Sequence, residues 1–170
     1  MLKENNKILK TKEFRYSLIN TLSFLFTDIC KENDILNLDN DKRIIPFLSK
    51  KNQSLSIKKY LLRLVKYTQV ESSTLIAMLI YIDRLCEIND FTINSLHIYK
   101  IIFSSLVLAI KYNEEVIFDN KFFARIGGIS LSEMNFLETV YLNLINFKLY
   151  VSDEIFETYI ENINETINKI

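Results

Sequence analysis

From Ser56 onward, apolar residues recur at helical intervals. Ile57, Tyr60, Leu61, Leu64 and Val65 fall at i, i+3, i+4, i+7 and i+8, the stripe of an amphipathic helix. Ser72 or Ser73 is suited to cap the next helix, whose inward positions are Leu75, Met78, Leu79, Ile82 and Leu85 and which Asn89-Asp90 breaks. A third helix is predicted from near Ser95 to Tyr112, with no charged residue between Lys100 and Lys111. A helix that is apolar around its whole circumference must be enclosed by others, so this segment is the expected centre of a bundle.

The pattern continues on both sides. A short helix from Lys121 to Ile126 meets Gly127-Gly128, where glycine supplies a left-handed C-cap. Ser130 and Glu133 have capping-box spacing ahead of Met134, Leu137, Tyr141, Leu144 and Ile145. Ile155, Tyr159, Ile163 and Ile167 mark a last amphipathic helix. Upstream, Leu18, Leu22, Phe26 and Ile29 line one face of a helix from Phe14 to Cys30. KENDILNLDNDKR then reads as an exposed connector, and Pro46 lies in an irregular stretch ending near Ser54. The prediction is an all-α domain: five core helices around a buried central one, with a flanking helix at each end.

Composition agrees with this picture and narrows the partners. The 170 residues are 49% apolar, enough for one globular core, and include only two glycines and one proline, too few for the frequent turns of an all-β fold. Formal net charge is zero and the isoelectric point is about 6.6, which argues against nucleic-acid binding; a nucleic-acid module is expected above about 9. The apolar runs Leu75–Ile82 and Ile101–Ile110 fall far short of the roughly 20 residues that span a bilayer. MLKENNKILK lacks the apolar stretch of a secretory signal, and Cys30 and Cys86 stand apart as reduced thiols would. An intracellular location, cytoplasm and/or nucleus, is expected.

Catalytic constellations are hard to assemble. His97 is the only histidine and has no metal-ligand spacing around it, and a Cys–His couple exists only by counting. The glycine pair lacks the further glycine a phosphate cradle needs, and Glu114-Glu115 reads as a solvated helix end. Three charges stand out because they interrupt apolar helices: Arg63, Asp83 and Lys111. Charges bordering a core are usually paired.

Several blocks, in order, resemble a cyclin box: IKKYLLRLVKY, YIDRL, SLVLAIKYNEE and DNKFFARIGGISLSEMNFLE. Tyr81–Arg84 and Ala109–Tyr112 are shared with cyclins in general. The run from Asn120 to Glu138, together with Tyr60 and Arg63, is similar to the P-type (phosphate-pathway) cyclins. The resemblance covers about Pro46 to Tyr159. It implies a single five-helix cyclin box at 46–150, preceded by an N-terminal helix and polar connector at 1–45 and followed by a C-terminal helix at 151–170. It further implies a non-catalytic subunit, monomeric when free, that binds and activates a cyclin-dependent protein kinase, with no cofactor, metal, nucleic acid or membrane. By position, Lys111 and Glu138 match the charged pair that grips the kinase's regulatory helix, and Arg63 and Asp83 match an internal structural ion pair. The chain departs from the pattern where Tyr99-Lys100 replaces a His-Arg, Gln53 a proline, and Tyr60 the tryptophan of the substrate-docking patch of cell-cycle cyclins. The alternatives are a cyclin-fold scaffold and a cyclin-fold transcription factor.

Overall fold

In the computed structural model, which describes residues 9–36, 42–49, 55–116 and 118–169, every regular element is helical. The helices are α1 (Lys12–Leu36), α2 (Ile57–Thr68), α3 (Ser72–Asn89), α4 (Ile98–Asn113), α5 (Asn120–Gly127), α6 (Leu131–Leu144) and α7 (Asp153–Ile167), with a 3₁₀ turn at Ile45–Phe47. Five helices, α2 to α6, form the core, and α1 and α7 flank it, as the apolar periodicity predicts.

Helix α4 is the centre. Every residue from Ile101 to Ile110 is buried, and the helix packs against α2, α3, α6 and the 3₁₀ turn. On α2, Ile57, Leu61 and Leu64 are buried while Tyr60 and Val65 cover the edge of the core. Burying each leucine is worth roughly 1.5–3 kcal/mol. Helices α1 and α7 pack on each other and both lie against α3.

Helix boundaries follow partly from caps visible in sequence and partly from contacts that are not. Ser56, Asp119, Ser130 and Ser152 each accept a backbone N–H three residues on, opening α2, α5, α6 and α7. At α3 the expected serine cap is replaced. Glu71 is the N-cap residue, and the carboxylate of Glu114 accepts from Glu71 N–H at 3.0 Å and from Thr74 Oγ1 at 2.6 Å. Glu114 is therefore not simply a solvated helix end: it places negative charge at the positive end of α3.

The two glycines of the pair do different work. Gly128 is left-handed (φ +68°) and closes α5, whereas a Cβ on Gly127 would meet Cζ of Phe103 at 2.6 Å. Close approach of α5 to the central helix thus requires Gly127. Helix α1 runs to Leu36, two turns past the predicted end, through part of the presumed connector. Its polar residues make tertiary bonds: Asn33 Nδ2 donates to the Ile93 carbonyl at 2.8 Å, and Asp34 accepts from Ser95 N–H and Oγ at 2.9 and 2.7 Å. With Asp34 fixing Ser95 in a turn, α4 begins at Ile98 rather than near Ser95.

Candidate functional site

Lys111 lies in the last turn of α4, and Glu138 lies midway along α6. Lys111 Nζ is 2.5 Å from Glu138 Oε1. The second carboxylate oxygen, Oε2, accepts from Asn120 Nδ2 at 2.7 Å, and the same amide donates to Asn135 Oδ1 at 2.7 Å. Both oxygens of Glu138 are thereby fixed, by groups from α4 and α5. The lysine and glutamate side chains are 27% and 16% exposed, so the pair is partly desolvated yet reachable. One N–H of the Lys111 ammonium is used on Glu138, leaving donors for an incoming acceptor. Exposed apolar groups stand close in the chain: Tyr112 and Val116 beside Lys111, and Leu131 one turn ahead of Asn135 on α6. Phe118 and Phe122 stack with centroids 4.1 Å apart at the start of α5. A charged pair within partly exposed apolar and aromatic groups is the makeup of a protein-docking surface.

Arg63 and Asp83, expected to pair, do not meet. Arg63 Nη2 donates to the Ile126 carbonyl at 3.0 Å, and Asp83 Oδ2 accepts from the Tyr159 hydroxyl at 2.7 Å. The reason is helix packing: α2 lies chiefly against α1 and α4, whereas the neighbours of α3 are α1, α4, α6 and α7. Arg63 therefore reaches the carbonyl end of α5, where a cation satisfies an orphan acceptor. Desolvation by burial raises the pKa of Asp83, opposed in part by the Tyr159 bond, and the charge of Glu87 raises it further.

Neighbours of Asp83 in the YIDR block serve the same seam. Tyr81 Oη donates to the Leu149 carbonyl at 2.8 Å, and Arg84 Nη1 donates to the Lys148 carbonyl at 2.7 Å. Three polar residues of the block thus fasten the turn after α6 and helix α7 to α3. Lys100 pairs with Glu133 at 2.8 Å, so the Glu133 carboxylate is turned to α4 while Ser130 alone caps α6 through its side chain. Tyr99 Oη donates to the Leu55 carbonyl at 2.5 Å, and its ring packs edge-on to Tyr60 at 5.2 Å.

His97 is buried, with Nδ1 2.6 Å from Asn94 Oδ1, and belongs to the turn before α4. Burial, with help from Asp34 at one and Asp83 and Glu87 at the other, pushes Cys30 and Cys86 up to about 12, so neither is a thiolate at neutral pH. The roles of Asn120, Asn135, Glu114 and Tyr159 escaped the sequence reading. The first two lie inside the P-type-like run, but nothing in a sequence marks an asparagine as the support of a distant glutamate.

A family model described as "Cyclin" matches residues 15–149. The chain is 32% identical to Cyclin-U4-3 of Arabidopsis thaliana over 148 residues (86% of this chain, 67% of that protein). It is 34% identical to Cyclin-P3-1 of Oryza sativa subsp. japonica over 149 residues (86% and 63%). It is also 32% identical to the Nuc-1 negative regulatory protein preg of Neurospora crassa over 114 residues (66% and 24%), and so spans between a quarter and two thirds of these relatives' lengths. The chain belongs to the cyclin family, and within it to the P/U type. Cyclins are non-catalytic regulatory subunits. Among the described residues no helix is long and apolar enough to cross a membrane.

Proposed function

We propose that this cyclin binds and activates a cyclin-dependent protein kinase inside the cell, with Lys111 and Glu138 at the contact with the kinase's regulatory helix. The observation that carries the reading is the Lys111–Glu138 pair, partly accessible and supported by Asn120. Such a helix ends in backbone acceptors that the free donors of Lys111 can take, while its apolar side lies on Tyr112, Val116 and Leu131. Holding that helix inward lets the kinase's own Lys–Glu ion pair form, which phosphoryl transfer requires.

The energy needed can be bounded. Shifting a kinase from about 1:99 to 99:1 in favour of the active state takes roughly 5.5 kcal/mol of differential binding. A desolvated interfacial charge contributes on the order of 2–5 kcal/mol, so the charges and the apolar groups beside them must act together. The chain needs no second copy for this and acts as a single subunit. The test is purification from the native cell with identification of the co-purifying kinase, followed by activity assays with Lys111→Ala and Glu138→Ala. The proposal expects a kinase to co-purify and to lose activation with either variant; full activation by both variants removes the assignment of these residues.

A further inference from the structure

Asp83 lacks the cation its sequence position suggested, and it faces a large apolar cavity. A half-open space of about 530 Å³ lies between α1, α3 and α7, walled by Phe26, Leu79, Ile82, Ile93 and Ile163. That volume lies within the range of small-molecule sites, as does the makeup of its wall, apolar with a few convergent polar groups. Among the described residues, Asp83 is the only charged one in the lining. Its neighbour Tyr159 holds one carboxylate oxygen, and among the described residues no lysine or arginine stands within ion-pair distance of it. Glu87 adds further negative charge nearby. A carboxylate set against hydrocarbon is costly until a cation joins it.

We propose that this cavity is a binding site for a lipophilic amine, its protonated nitrogen on Asp83 and its hydrocarbon body along Phe26, Leu79, Ile82 and Ile163. The site shares no residue with the Lys111–Glu138 network, so it stands or falls apart from the kinase reading. Charge complementarity selects the ligand class: an alcohol of the same shape fills the space without neutralising the carboxylate, and a carboxylic acid meets repulsion.

The experiment uses the full chain and three probes of one shape: 4-phenylbutylammonium, 4-phenylbutanol and 4-phenylbutyrate. The amine should raise the melting temperature by about 5–10 °C at a hundredfold excess over its dissociation constant. The alcohol should bind at least about tenfold more weakly and the acid not at all. In Asp83→Asn the preference for amine over alcohol should vanish. If that variant fails to fold, isoleucine methyl spectra of the parent chain decide: the amine should move Ile82, Ile93 and Ile163 and leave Ile57 and Ile126 unmoved. Equal stabilisation by amine and alcohol, no stabilisation by either, or methyl shifts only outside the cavity overturns the proposal.

Discussion

Two places on this molecule receive the same kind of signal from the sequence, a charge interrupting an apolar helix, and resolve it in opposite ways. At the junction of α4 and α6, Lys111 meets Glu138 side chain to side chain. At the α2 and α3 positions, Arg63 and Asp83 turn from each other, one to a helix-end carbonyl and the other to a tyrosine. The difference lies in which helices share an interface. Helix α4 packs on α6, so a charge leaving each can meet the other; α2 and α3 share no comparable interface. A charge near a core must find a partner, and topology decides whether that partner is a side chain or the backbone.

The largest expected effect lies at the pair that meets. Lys111→Ala or Glu138→Ala should weaken kinase binding by roughly thirty- to several-thousand-fold, the equivalent of 2–5 kcal/mol. Because the pair is partly solvated, melting of the free chain should fall by only a few degrees. Melting that collapses in step with activation would turn the pair into a folding element and erase the contrast.

Next in size is Asp83→Ala, which removes the acceptor of the Tyr159 hydroxyl. Hydrogen bonds to charged groups contribute about 1.5–3 kcal/mol, and relief of a desolvated carboxylate offsets part of that, so a loss of about 1–2 kcal/mol is expected. Tyr159→Phe should lower the urea midpoint similarly. A parental midpoint in both would mean that the bond does not hold the seam.

Acidification sharpens the point. The folded-state pKa of Asp83 is raised above its ordinary 3.8, so the folded chain takes up this proton before the unfolded chain does. The stability it contributes is fully present below the unfolded pKa and is lost as pH rises through the folded one. Relative to Asp83→Asn, the parent should therefore gain stability as pH falls from 7 toward 4. A stability gap that stays constant in paired urea titrations would deny the desolvation.

Smallest are the couplings. A double-mutant cycle on Lys111 and Glu138 in the free chain should give about 0.5–1 kcal/mol, and one on Arg63 and Asp83 less than about 0.5. Arg63 is exposed, so Arg63→Ala alone should cost only about 0.5–1 kcal/mol despite the charge on its carbonyl bond. A coupling of several kcal/mol between Arg63 and Asp83 would reinstate the buried pair.

What was legible in the sequence was what periodicity and capping chemistry can encode. The uncharged stretch before Lys111 located the central helix, and the glycine pair located the end of α5. Contacts whose partner is backbone or a neutral side chain left no trace: the Ile126 carbonyl for Arg63, Asn120 for Glu138, Ser95 for Asp34. For the same reason KENDIL read as a connector, since polar residues engaged in tertiary bonds look like polar residues in water. Glu114 misled in the other direction, because its place at one helix's end hid its use at the start of another.

The enclosure of α4 carries a consequence for how the candidate contact behaves in time. A helix with no solvent face from Ile101 to Ile110 has no shallow route for its amide protons to leave, so they should exchange only when the whole domain opens. Lys111 is the next residue along. The ammonium proposed to meet a partner thus follows directly on backbone expected to exchange slowly, and the Glu138 carboxylate holds it in place. If the proposed kinase contact is made there, such a mount leaves little ordering of the cyclin backbone to be done on binding.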